Sequence, residues 1–163
     1  MPLLSHHAQK NSLVVQSEVL LPLRYRFAIL RPRRLMIAVG AMVVIMSLMG
    51  MTSGDEWAAV GWGGEENVLA HDAAYEEMWA LHLMPLGVMA IGTGLFVSGK
   101  GLAKMSMMAP LVIVIIMGGM GALTGDNGYG AEAPPMDMFA PALVTILLTV
   151  MLGISGYLHK DDE

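Results

Sequence analysis

"RPRRLMIAVGAMVVIMSLMGMTSGDE", residues 31–56, contains seventeen consecutive residues without a charge, 35–51, set between three arginines and an acidic pair. A helix that packs one stripe onto a soluble core shows polar residues every second turn or so. This run shows only Ser47. Its length approaches the roughly 20 apolar residues that span a hydrocarbon core, so the stretch reads as a membrane helix. Three further segments, 78–98, 105–124 and 138–158, are also free of Asp, Glu, Lys and Arg. The expected fold is therefore an all-α integral membrane protein, four transmembrane helices in a small bundle (residues 35–163), preceded by a basic segment (1–34).

The composition agrees: 55% of the 163 residues are hydrophobic and 14% charged, outside the usual balance of a soluble domain. All charges fall outside the four segments. Residues 1–34 hold six bases against Glu18, residues 52–77 hold seven acids and no base, and residues 99–104 hold Lys100 and Lys104. The stretch 125–137 is acidic again, through Asp126, Glu132 and Asp137. Lys and Arg in short loops stay on the cytoplasmic side. That rule puts the N-terminus and the 99–104 loop inside, the acidic loops outside, and the C-terminus inside, in a cell inner or plasma membrane. A cleaved signal peptide is not expected, since the first long apolar run starts only after the basic lead. Residues 12–23 are apolar but too short to span, and "RYRFAILRPRR" beside them suits an interface with anionic lipid, so the lead reads as an interfacial segment.

Several chemistries drop out. Cysteine is absent, which removes disulfides, thiolate catalysis and Cys-based metal sites. There is no Gly-rich phosphate loop and no nucleophile-elbow serine. Nucleic acid finds no footprint, because the only basic cluster abuts a membrane helix. No catalytic constellation is visible, and the chain is expected to have no catalytic activity of its own.

Small residues recur at helical spacing: Ala90, Gly94 and Ser98; Gly118 with Ala122 and Gly121 with Gly125; Thr145, Thr149 and Gly153. In lipid, close helix approach depends on such residues, so they imply internal packing or contact with another subunit. Pro85, Pro110 and Pro141 are expected within a turn or two of helix starts, where a missing donor costs least.

Seventeen methionines are unusual, with Met42, Met46 and Met49 on one face. Thioether and imidazole are ligands that Cu(I) selects, while Met also serves as an adaptable gap filler. The Met-x3-Met spacing resembles that of small copper-uptake transporters, but those have three spanning helices and a Met-rich outer terminus, which this chain lacks.

Chemistry concentrates in "HDAAYEEMWALHLMPLG", residues 71–87. His71 and His82, eleven apart, share a helix face within about 20° but lie about 16 Å apart along the axis, too far for one ion to bridge. Tyr75 and Met78 lie on the line between them. An ionisable His82 about one turn into the membrane is a functional candidate. With Met78 it could hold haem or copper, and His71, His82, Glu76 and Glu77 form the candidate metal set. The alternative is a neutral imidazole bonded to a neighbouring carbonyl or reaching the interface, with no cofactor at all. A bis-His haem lacks its second buried histidine in this chain. The acidic loop, with Trp57, Trp62 and Tyr75, could take divalent cations or dock a basic partner, or be a solvated face. Asp72 and Glu76 would repel at i, i+4 if the helix reached that far, which calls for a counter-ion.

The leading expectation is a non-catalytic accessory or structural subunit of a larger membrane complex, whose partners are the bilayer and other subunits or copies of itself. The alternative is a copper- or haem-binding membrane protein centred on His82.

Overall fold

The computed structural model describes residues 31–130 and 135–161, with side chains for 31–130 and 142–161; the interfacial stretch 12–23 and nearly all of the basic lead lie outside the described residues. The chain forms α1 (Pro32–Thr52), α2 (Gly54–Trp62), a 3₁₀ turn (Glu65–Asn67), α3 (Asp72–Phe96), α4 (Gly99–Thr124), a second 3₁₀ turn (Gly125–Asn127) and α5 (Pro135–Leu158). There is no strand among the described residues. Three helices, Pro32–Thr52, Asp72–Phe96 and Gly99–Asn127, are long and apolar enough to cross a membrane, and a shorter apolar stretch, Ala142–Leu158, lies within α5.

Two helices start earlier than hydropathy suggests. α3 begins at Asp72 rather than at 78, and α4 at Gly99 rather than at 105. Charged side chains end an apolar run without ending a helix, because the backbone bonds of the first turns form regardless of what the side chains meet. Pro85 and Pro110 consequently sit inside α3 and α4, not near their starts. Neither breaks its helix, as is common where neighbouring helices take up the freed groups. The acidic stretch 52–77 is likewise not a plain loop. Asp55 and Glu56 in the first turn suit the positive end of α2. Gly63, at φ 76°, then closes it, with the Gly64 N–H donating to the Ala59 carbonyl at 2.9 Å.

The packing is built on glycine. α1 and α3 run antiparallel and cross where Gly40 meets Gly87: a Cβ on Gly40 would stand 2.6 Å from the Gly87 carbonyl oxygen, and one on Gly87 2.8 Å from that of Gly40. Seven residues to either side, Gly94 rides against Ile37 and Ala80 against Gly50. This is the small-residue seam that lets helices approach without a hydrophobic driving force. α4 and α5 form a second pair, with the Pro110 ring against Gly153 and the Ala103 carbonyl against Gly156. α1 also packs on α5 and so joins the two pairs.

Beside Leu35, Met36, Val39, Leu102 and Leu152, the buried set is small or hydroxylated: Ser47, Ser106, Thr149 and Ser155 are enclosed with Ala80 and Ala103. Ser106 Oγ donates to the Leu102 carbonyl (2.8 Å) and Thr149 Oγ1 to that of Thr145 (2.7 Å), satisfying hydroxyls within their own helices. Many more large apolar side chains face outward, among them Ile45, Leu48, Met89, Phe96, Val114, Ile115 and Leu147. A soluble bundle would invert this arrangement. A hydrocarbon solvent tolerates it, because lipid tails are as apolar as leucine.

Only Val97 and Ser98 separate α3 from α4, and Gly99, at φ 56°, makes the reversal in a conformation that costs glycine nothing. Because α3 commits its seam to α1 and α4 commits its own to α5, the two helices barely touch each other beyond this turn. Towards the acidic end a wedge opens between them.

Candidate site: an aromatic cavity at the acidic end

The wedge is a cavity of about 520 Å³. From α3 it receives Asp72, Tyr75, Glu76 and Trp79; from α4, Ile116, Gly119, Met120, Leu123 and Thr124; Trp62, Asn127 and Tyr129 complete its wall. Polar groups cluster at the loop end. Trp79 and Ile116 lie two to three helical turns deeper, so the lining passes from charged to apolar along its length.

Tyr129 closes the site. The turn "NGYG" places it between Gly128 and Gly130, both at φ 80°, and the Gly130 N–H donates to the Gly61 carbonyl at 2.6 Å, tying this turn to α2. The Tyr129 ring lies on Gly61 so closely that any Cβ there would enter it. It stands perpendicular to the Trp62 ring, with centroids 5.3 Å apart and planes at 88°, the T-shaped arrangement aromatic quadrupoles favour. From this seat the Tyr129 hydroxyl donates to Glu76 Oε1. Burial, then the bond to Glu76 and the nearby carboxylate charges, push the phenol well above its ordinary range, so it stays a donor.

Asp72 is buried at the start of α3. Its Oδ2 accepts from the Leu69 N–H (2.7 Å), and its Oδ1 lies 3.7 Å from His71 Nε2. The helix does reach Asp72, so Asp72 and Glu76 stand at i, i+4 on the same wall. No Lys or Arg pairs with either among the described residues. None lies between 35 and 99 or between 105 and 130 in the sequence.

The residues singled out from sequence divide between two faces of α3. Glu76 joins the cavity. His71, Met78 and His82 are exposed on the bundle surface. The His71 ring meets Tyr75 edge-on at 5.2 Å. His82 Nδ1 donates to the Met78 carbonyl at 2.6 Å, since a carbonyl can only accept, which leaves Nε2 as the nitrogen not used in this bond. Glu77 is directed to the start of α2, where its Cγ would stand 2.7 Å from a Cβ on Gly54. Among the described residues no three His, Cys, Asp or Glu side chains gather as a metal site. Tyr129 escaped sequence reasoning. Its only signal was a tyrosine between two glycines, and its partner Glu76 lies 53 residues away.

Compared with known proteins, the chain matches no family model, no curated protein and no solved structure. The class that fold and site define is a protein helical throughout its described residues, with several helices apolar enough to cross a membrane and an aromatic, carboxylate-bearing cavity at one end.

Proposed function

We propose that the chain is a non-catalytic integral membrane protein that serves as an accessory or structural subunit of a larger membrane complex. In this reading α1, α3, α4 and α5 all span a cell inner or plasma membrane. Both termini are cytoplasmic, because the basic residues of 31–34 and Lys100 and Lys104 lie at one end. α2, the two 3₁₀ turns and the cavity are extracytoplasmic.

One observation carries the assignment to a complex. Glycines Gly40, Gly87, Gly94, Gly153 and Gly156 each meet a neighbouring helix at distances no Cβ would allow, whereas Gly118 and Gly121 on α4 and Gly125 just after it meet nothing within 4 Å among the described residues. At 100° per residue these three, with Ala122, form one face of α4, roughly opposite its cavity-lining residues. A glycine face of the kind this bundle uses at its α1–α3 and α4–α5 crossings, uncovered among the described residues, supports a missing helix from another subunit or from a second copy.

The test is mild-detergent extraction from the native membrane, followed by native electrophoresis and mass spectrometry. The wild type should travel with a stoichiometric assembly, and Gly121→Ile should release it while remaining folded. A wild type that migrates as a monomer, or a variant that stays assembled, overturns the proposal.

The copper or haem reading keeps one support, the Nδ1–H anchor that leaves His82 Nε2 outward, as ligating histidines are commonly oriented. Within the chain Met78 is its nearest candidate co-ligand, so a partner would have to supply the rest. Metal analysis of the same extract decides it.

A further inference from the structure

The cavity pairs two features that exclude most ligands. Asp72 and Glu76 bring two carboxylates to its polar end with no Lys or Arg against them among the described residues, and the nearest basic ring, His71, stands 3.7 Å from Asp72 Oδ1. Partly buried like charges at i, i+4 disfavour one another, and the hydrogen bonds they accept from the Leu69 amide and the Tyr129 phenol bring no positive charge to offset them. A cation is the group the wall lacks.

The remaining lining says which cation. A hard divalent ion wants six to eight oxygens. Here Asp72 Oδ2 is already taken by the Leu69 N–H, Glu76 Oε1 is taken by Tyr129, and most of the rest of the wall is carbon. Four aromatic side chains, Trp62, Tyr75, Trp79 and Tyr129, surround the space, two of them locked edge to face. Aromatic faces with a carboxylate suit a large, weakly hydrated cation that can give up its water: an alkylammonium, whose methyl groups lie against the rings while its charge is answered at the rim. The deeper apolar wall, Ile116, Met120 and Leu123, takes alkyl substituents. The volume falls in the roughly 300–1,000 Å³ range of small-molecule sites.

We propose that this cavity binds an alkylammonium group through the aromatic walls of Trp62, Trp79, Tyr75 and Tyr129 and the carboxylates of Glu76 and Asp72. The proposal is independent of the bare glycine face, which lies on the other side of α4. The group could belong to a free amine or to a lipid headgroup, and the experiment separates the two.

Full-length protein is placed in phosphatidylglycerol nanodiscs and titrated with tetramethylammonium or choline, with potassium at matched ionic strength as control. Tryptophan fluorescence is the readout, because Trp62 and Trp79 line the site. A saturable change with the two ammonium probes and none with potassium is expected. Trp79→Ala and Glu76→Gln should each weaken it about tenfold. Because either variant could disturb folding, Gly119→Leu provides a second arm. Nothing among the described residues lies within 4 Å of a Cβ at Gly119, so leucine is accommodated by α4 and fills the cavity, abolishing binding. Gly121→Leu, on the opposite face, should leave binding intact. Repeating the titration in phosphatidylcholine discs identifies the source: several-fold weaker choline binding points to a lipid headgroup, and unchanged binding to a free amine. No saturable response in either disc, a response shared with potassium, or binding retained by Gly119→Leu overturns the proposal.

Discussion

Replacing Gly40 with alanine tests the central contact of the fold with one methyl group. The new Cβ would lie 2.6 Å from the Gly87 carbonyl oxygen and 2.8 Å from both the backbone nitrogen and Cγ1 of Ile91. Two of these three atoms belong to backbone that cannot rotate away. Comfortable contact needs about 3.5–4.0 Å, so α1 and α3 must part by about 1 Å at the crossing. A gap of that size forfeits a quarter to a half of each dispersion contact nearby, and the Ile37–Gly94 and Gly50–Ala80 contacts along the same seam loosen with it. The expected loss is about 1–3 kcal/mol, the usual range for overpacking a tight site. Gly87→Ala strains the same crossing, so the double variant should lose less than the sum of the two. The internal control is Gly118→Ala, where a Cβ meets open space; it should change stability by no more than about 0.5 kcal/mol. Reversible unfolding of each protein in maltoside micelles, followed by circular dichroism as a denaturing detergent is added, measures both. If Gly40→Ala proves as neutral as Gly118→Ala, the helices are not held at the separation described and the glycine-seam account fails.

Three further outcomes are expected. Tyr129 has a folded-state phenol pKa raised above 10.0, so its stabilising contribution is complete below that pH and is lost as pH climbs towards the raised value; absorbance at 295 nm should show one tyrosine ionising late, and Tyr129→Phe should remove that late step. Gly61→Ala puts a methyl group into the Tyr129 ring, so it should free the tyrosine to ionise in the ordinary range while far-ultraviolet dichroism stays near wild type; a tyrosine that still titrates late would show that Gly61 is not its seat. His82→Ala removes only a bond to its own helix and an exposed side chain, so its stability should fall by no more than about 0.5 kcal/mol, and a larger loss in thermal melts would mean that the histidine is held by more than Met78.

Sequence determined the four apolar segments, the acidic and basic character of the loops between them and the absence of cysteine chemistry, because hydropathy and charge are properties of residues taken one at a time. It placed the helix starts too late at Asp72 and Gly99, since charge stops an apolar run but not a backbone ladder. It also missed α2, whose six apolar residues 57–62 are far too few to span, although Asp55, Glu56 and Gly63 mark both of its ends. Only the tertiary structure decided which small residues are spoken for. Gly40 and Gly121 are indistinguishable by type and setting, yet one lies against a neighbouring backbone and the other meets none of the described residues within 4 Å. The cavity was equally hidden. It exists because α3 and α4 leave a two-residue turn for different partners, and its closure depends on Tyr129 reaching Glu76 across 53 residues. Periodicity relates residues along one helix, and nothing in it reports where two helices fail to meet.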